Sequence, residues 1–325
     1  MSRPVVAITR RLFPDSDQPL QSRAEVRLNP ADTPLVPARM VEYAAGCQAL
    51  VATAGCQVPA EVIEGLPGLK LIANVGVGYN NIDVAAANRA GVMVTNTPDV
   101  LTEATADMAW ALLLGAARRT GESERWLRDG KWNVWGMGLW LGADVHGATL
   151  GIIGMGRIGR AIARRASGFG MQVLYHNRRE LPAEESQGAR WVGKEELLRS
   201  ADHVVLVVPY SPATHHIVGA PELALMKPTA VLVNIGRGGL VDDRALAQAL
   251  QEGRIAAAGL DVFEGEPKVA PELLAAPNAL LTPHIGSATS SARRAMADLA
   301  IANVVDWLDG KRPRTLVNPE VLTGA

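Results

Sequence analysis

Apolar residues in this chain follow two rhythms. Short unbroken runs of apolar and β-branched residues occupy positions 4–9, 49–52, 69–75 and 92–95. Between them, positions 36–45 and 83–90 carry the three-to-four spacing of helices. Buried strands alternating with helices predict a parallel sheet. The pattern resumes with runs at 150–153, 173–175, 203–208, 230–235 and 255–262, helical stretches at 194–200, 221–226 and 242–251, and a further apolar Ala279-Leu-Leu. That repeat predicts a doubly wound α/β sheet. Two long helical segments frame it. Positions 104–118 are strongly apolar and follow Thr97-Pro98, a natural domain boundary. Positions 290–308 set Met296, Leu299, Ala300, Asn303, Val304 and Trp307 along one side, a face that predicts a return to the first block.

At the start of the second block, TLGIIGMGRIGRAIARRASGFG (149–170) orders a strand, a glycine turn and a helix. The helix is marked by Ile158, Ile162, Ala166 and Phe169 and stopped by Gly170. Gly154 allows the tight turn, Gly156 lets backbone approach a pyrophosphate, and Gly159 lets the helix pack on the strand. The helix N-terminus then offers free N–H groups to phosphates. The first block lacks such a turn and reads as a separate, smaller α/β domain. Its own glycine loop, Val75-Gly76-Val77-Gly78, ends a strand, and either cradles a small carboxylate on backbone N–H groups or simply turns the chain. Positions 125–141 hold Trp126, Trp132, Trp135 and Trp140 with little periodicity. Tryptophan is enriched at subunit contacts, so this arm is expected to meet a second subunit.

Composition narrows the class. The chain has 325 residues, 48% of them hydrophobic, and a formal net charge of -1, as expected of a soluble globular protein with two domains. It has no basic stripe for nucleic acid or an anionic membrane, and no apolar run long enough to span a bilayer. MSRPVVAITRR lacks the core of a signal peptide. Cys47 and Cys56 stand in neither CxxC nor metal-ligand spacing, which predicts two buried thiols in a reducing cytoplasm and no metal centre.

Three segments end strands of the second block with residues of catalytic type. Asn234-Ile-Gly-Arg237 offers Arg237, the stretch from Gly259 to Pro267 offers Asp261, Glu264 and Glu266, and Thr282-Pro-His284-Ile-Gly offers His284. Ligands of open α/β sheets sit outside the carboxyl ends of strands, where these residues would gather beside a dinucleotide turn. With GMGRIG, NIGRGGLVDDRAL, AAGLDVFEGEP and LTPHIGSAT in this order, the chain resembles the D-isomer-specific 2-hydroxyacid dehydrogenases over nearly its whole length. HNRR after the second strand, LWLG around Trp140 and PHIGSAT make it most similar to the glyoxylate/hydroxypyruvate reductases of that family, 2-ketogluconate reductase included.

The resemblance implies a Rossmann-type doubly wound sheet in an NAD(P)-binding domain (99–287), inserted into a smaller flavodoxin-like α/β substrate domain (1–98 and 288–325), and a homodimer. It implies that Arg237 binds the substrate carboxylate and carbonyl oxygen, that His284 donates the proton, and that Glu266 holds His284. A planar guanidinium suits two oxygens at once, and a carboxylate beside an imidazole favours imidazolium. Asp261 would contact the nicotinamide carboxamide, and Val75, Gly76, Val77 and Gly78 would bind the substrate carboxylate, with Trp140 reaching it from a neighbouring subunit. Met155, Arg157, Ile158, Val208, Pro209, Thr214, Ile235, Gly236 and Gly286 would line the coenzyme. Coenzyme choice can be argued from residues: an NAD enzyme places an acid at the end of the second strand, whereas Asn177-Arg178-Arg179 stands there. Two guanidinium groups favour a 2′-phosphate, so NADP(H) is expected, with NAD(H) the weaker alternative. The same motifs fit an NAD-dependent phosphoglycerate-type dehydrogenase or a nucleotide-sensing corepressor, which the arginines and the reductase-like segment around Trp140 disfavour.

Overall fold

In the computed structural model, which describes residues 3–53 and 55–323, the apolar runs form two separate all-parallel sheets. The first contains β1 (Val5–Ile8), β2 (Glu25–Leu28), β3 (Ala49–Thr53), β4 (Leu71–Val75) and β5 (Met93–Thr95), in the order β2-β1-β3-β4-β5. This is the flavodoxin-like order. Alternate residues serve opposite faces, as strand geometry requires. Leu50, Ala52 and Ile72 pack with Met40, Val62 and Ala87 of the helices on one side. Val51, Leu71 and Ala73 pack on the other with Ile301 and Val304 of the long helix Ser290–Leu308. Burying those two aliphatic side chains contributes about 1.5–3 kcal/mol each. Thr289 caps that helix by accepting from the Ala292 N–H at 3.1 Å. Its buried Asn303 donates to Thr315 Oγ1 at 2.8 Å, and Thr315 Oγ1 in turn donates to the Asn96 carbonyl at 2.6 Å.

The second sheet contains β6 (Thr149–Ile153), β7 (Gln172–His176), β8 (Arg190–Trp191), β9 (His203–Leu206), β10 (Val231–Asn234), β11 (Ala257–Leu260) and β12 (Ala279–Leu281). Its order, β12-β11-β10-β9-β6-β7-β8, is the Rossmann order with one strand added, and the strand sequence reverses between β6 and β9. Apolar clusters cover both faces. The helix Thr102–Ala117 lies on one of them and buries Ala106, Ala109, Trp110, Leu112 and Leu113. By internal contacts the chain divides into one unit running to Leu101 and from Ala288 onward, and a second unit, Thr102–Ser287. Among the described residues no helix is long and apolar enough to cross a membrane.

The structure differs from the pattern in the sequence mainly at edges. β2 and β8, absent from the sequence reading, are each the last strand of a sheet. Their residues are largely exposed, so they carry no apolar run to announce them. The run at 203–208 ends as strand at Leu206, and where the stretch 221–226 is expected to be helical the α-helix is Ala220–Leu223. The first part of the tryptophan-rich region continues a helix, Thr120–Arg128, with no buried residue.

Candidate active site

Three neighbouring strands, β10, β11 and β12, deliver the acid-base and guanidinium candidates just beyond their carboxyl ends. After β10 the turn is folded around Asn234, which is 1% exposed. The Gly236 N–H donates to its Oδ1 at 3.1 Å, and its Nδ2 donates to the Arg237 carbonyl at 2.9 Å. The next residue, Gly238, passes so close to the segment after β11 that an added Cβ would sit 1.7 Å from the Phe263 carbonyl oxygen. Arg237 Nη1 donates to the Gly236 carbonyl at 2.9 Å. Burial pulls the guanidinium below its ordinary value, opposed by the charge of Glu266.

Glu266 is held at both oxygens. Its Oε1 accepts from the Phe263 N–H at 2.9 Å, and its Oε2 lies 2.8 Å from His284 Nδ1. Burial alone would raise this carboxyl. The hydrogen bonds from His284 and Phe263 and the charges of His284 and Arg237 outweigh it, leaving Glu266 below the usual carboxylate value and ionised at neutral pH. An ionised carboxylate only accepts, so Nδ1 of His284 carries the hydrogen in this pair and Nε2 is the nitrogen left for chemistry.

His284 itself has φ +53°, the left-handed region that side chains other than glycine rarely enter. Asp261, 1% exposed, holds it there. The Asp261 carboxylate accepts from Thr282 Oγ1 at 2.6 Å and from the N–H groups of Ile285 and Gly286 at 2.8 and 2.7 Å. Its carbonyl accepts from the His284 N–H at 2.9 Å. Both carboxylate oxygens are thus engaged inside the turn that presents His284, a positioning task the sequence did not disclose.

The glycine turn after β6 fits a dinucleotide. Gly154 has φ +109°, and a Cβ on Gly159 would lie 2.2 Å from the Gly154 carbonyl oxygen, so the helix Arg157–Ala166 closes tightly on the strand. Among the described residues, a Cβ on Gly156 would meet nothing within 4 Å, and no side chain caps the helix. Backbone N–H groups therefore stand at an open approach, the arrangement that accepts phosphate oxygens. Asn177 Oδ1 accepts from the Met155 N–H at 2.8 Å, fastening the end of β7 to the turn. Arg178 and Arg179 follow, both exposed. The Met155 side chain lies in the core with Ile158 packed against it, while Arg157 is exposed. On the far side of the switch point, Thr214 Oγ1 donates to the Pro209 carbonyl at 2.9 Å and closes the loop after Val208. Ile235 and Gly286 are buried.

In the other unit, Asn74 donates to the carbonyls of Gly76 and Gly78 at 3.2 and 2.9 Å, and Asn96 donates to the Val77 carbonyl at 2.8 Å. In a trans peptide N–H and C=O point opposite ways. With these carbonyls held inward, the N–H groups of Val77, Gly78 and Tyr79 turn away from the asparagines, as an anion cradle needs. Asn74 and Asn96 are further residues that sequence reasoning missed as parts of a site. A short polar side chain buried to hold backbone leaves no spacing signal.

Trp140 has φ +54° and packs within its own chain, edge to face with Trp126 at 5.8 Å and under Arg119, whose guanidinium carbon lies 4.8 Å from the ring centroid. Its Nε1 is buried with no hydrogen-bond partner among the described residues. The neighbouring Trp135 and Met137 are 71% and 82% exposed.

A Rossmann-order sheet with a turn suited to phosphate, and a guanidinium, a carboxylate and an imidazole at the ends of three successive strands, defines a nicotinamide-dinucleotide oxidoreductase. The chain belongs to the D-isomer-specific 2-hydroxyacid dehydrogenase family, whose NAD-binding domain matches residues 110–286. It is 48% identical to the glyoxylate reductase of Thermococcus onnurineus over 98% of this chain and 97% of that one. With the glyoxylate reductase of Pyrococcus furiosus it shares 46% identity over 98% and 97%. The crystal structure of the NADPH-dependent glyoxylate/hydroxypyruvate reductase from Sinorhizobium meliloti, in complex with NADP and malonate, superposes with a TM-score of 0.88 at 36% identity, covering 97% of both chains.

Proposed function

We propose that this protein is an NADPH-dependent reductase of small 2-keto acids, with glyoxylate, hydroxypyruvate and 2-ketogluconate as the candidate substrates. The observation that carries the reading is the His284–Glu266 pair at 2.8 Å, which joins the ends of β12 and β11 beside β10, the strand that bears Arg237. Support for the substrate comes from the relatives named glyoxylate reductase. In this reading Arg237 and the backbone of Val75, Gly76, Val77 and Gly78 hold the substrate carboxylate. The turn from Gly154 to Gly159 would hold the coenzyme, whose nicotinamide would supply the hydride for the carbonyl carbon. His284 delivers its Nε2 proton to the carbonyl oxygen, while Glu266, kept ionised, stabilises the charged imidazole until then. The exposed apolar arm supports a homodimer, with Trp140 serving the partner's substrate pocket, and two free buried cysteines fit a reducing cytoplasm.

Coenzyme choice is the part that Arg178 and Arg179 decide. Initial rates of glyoxylate reduction with NADPH and NADH should favour NADPH in kcat/KM. Replacing both arginines with serine should remove about 1.5–3 kcal/mol per charge-assisted contact from NADPH recognition and leave NADH use nearly unchanged. Equal efficiency of the wild type with both coenzymes would refute the NADPH assignment; no oxidation of either with any keto acid would refute the reductase.

A further inference from the structure

A second histidine-glutamate cluster lies outside everything assigned above. His215, His216 and Glu264 each offer a ligand atom, and these atoms lie within 4.8 Å of one another. The two imidazoles are consecutive in the chain and stacked, with centroids 3.8 Å apart and planes inclined by 25°. His216 Nε2 stands 3.1 Å from Glu264 Oε2. That is a hydrogen-bond distance, and it is also close to the roughly 3.3 Å that separates two ligand atoms on a tetrahedral zinc ion with bonds of about 2.0–2.1 Å, so an ion can replace the shared hydrogen with little movement of the pair.

The surroundings match as well. Tyr210 Oη lies 3.3 Å from His215 Nδ1, and Asp242 Oδ2 lies 3.8 Å from His216 Nδ1. The Tyr210–His215 contact is within hydrogen-bond reach and orients that imidazole as a metal-bound one normally is, one nitrogen toward the ion and the other toward a hydroxyl; Asp242, beyond hydrogen-bond distance, adds negative charge beside His216. His216 also has φ +48°, a left-handed conformation that costs free energy and tends to persist at functional sites. His284, with φ +53°, shares it. The short segment Glu264-Gly265-Glu266 thus offers one glutamate to each of two left-handed histidines. The pair with Glu266 belongs to the reduction proposed above; the pair with Glu264 is given no role in it.

We propose that His215, His216 and Glu264 form a binding site for one divalent transition-metal ion of the zinc class, which ties the loop after β9 to the segment after β11. Two imidazoles and one carboxylate suit Zn²⁺, Co²⁺ or Ni²⁺, whereas Mg²⁺ and Ca²⁺ require oxygen donors. Three protein ligands leave a fourth position for water. His215 and Glu264 are exposed, so an ion reaches the site from solvent. The expectation of no metal centre rested on the two cysteines. Adjacent histidines and a glutamate 48 residues beyond His216 form no recognisable ligand spacing.

The test is a calorimetric titration of tag-free, chelator-treated protein with Zn²⁺, and separately with Mg²⁺. Wild type should bind one Zn²⁺ per chain with a micromolar Kd and no Mg²⁺. His215→Gln and Glu264→Gln should each weaken Zn²⁺ by at least about tenfold, and His284→Gln should bind as wild type does. Thermal melts without metal establish that each variant is folded. Because the His215 side chain is exposed, that variant alone suffices if Glu264→Gln does not fold. Absence of Zn²⁺ uptake below about 100 μM, or uptake undiminished in His215→Gln, overturns the proposal. Loss of uptake in His284→Gln also overturns it, because the ion would then sit at the catalytic pair. Binding is read without turnover, so its outcome is independent of the reductase reading.

Discussion

Asp261 carries the most specific consequence at the scale of single residues. A family contact to the nicotinamide carboxamide and a role as anchor of the His284 turn make different kinetic demands. Its carboxylate accepts from Thr282, Ile285 and Gly286. An asparagine there turns an NH2 toward donors and leaves at least one of them unpaired, at a cost of about 1–3 kcal/mol. Asp261→Asn is therefore expected to lower kcat by roughly ten- to a hundredfold while the KM for NADPH stays within about twofold. A raised coenzyme KM with kcat preserved would mean that the carboxylate acts on coenzyme. Glu266 makes a separate prediction. Its carboxyl lies below the usual value, so the charge beside His284 persists across the neutral range. Glu266→Gln keeps the shape and removes that charge, so kcat for reduction should fall by roughly ten- to a hundredfold with the KM for NADPH within about twofold; an unchanged kcat would exclude Glu266 as the group that serves His284. His284, Glu266 and Arg237 were legible because each follows an apolar strand and sits in a long shared motif. Asn74 and Asn234 were not, because their work is to hold backbone inside a turn.

Secondary elements were legible where they are buried on both faces. The interior strands β6, β9, β10 and β11 are near-continuous apolar runs because helices cover both sides of the sheet. The edges β2 and β8 face water and lack that signature. One interior strand carries an exception to its apolar pattern. His203 on β9 is 0% exposed; its Nε2 lies 2.9 Å from the Asp144 carbonyl, and its Nδ1 has no partner among the described residues. Burial holds its pKa below the ordinary value, although the Asp144 bond and the Asp202 charge pull the other way. The unfolded chain then binds a proton that the folded strand resists. Stability contributed by the neutral imidazole is complete above the unfolded histidine value of about 6.5 and is lost as pH falls below it. Thermal midpoints should drop between pH 7.5 and 5.5. The fall should be shallower in His203→Gln, whose amide can still donate toward Asp144 but takes up no proton in this range. Equal slopes for both proteins would show that other groups govern the acid side.

At the scale of the whole molecule, the exposed arm is the feature that a single chain does not explain. Leu127, Trp132, Val134, Trp135, Met137 and Leu141 are between 52% and 82% exposed, a run of large apolar surface that monomers rarely keep in water. Trp140 lies among them, braced by Trp126 and Arg119, with its indole N–H buried and without a hydrogen-bond partner among the described residues. A left-handed backbone and an unsatisfied donor are costs that a single chain does not offset. A second copy supplying an acceptor, or a substrate oxygen in the partner's site, would offset them. If Trp140 serves the other subunit, activity can be rebuilt from two damaged chains. Trp140→Ala lacks the indole but keeps His284, and His284→Ala keeps the indole but lacks the acid. In a mixed dimer, the site with an intact His284 receives Trp140 from its partner. Co-refolding or co-expressing the two variants should therefore give glyoxylate reduction well above the sum of the separate homodimers, in a particle of twice the 34.4 kDa chain mass. If Trp140 acts within its own subunit, no mixed dimer contains a complete site, and the mixture stays at the level of its parts.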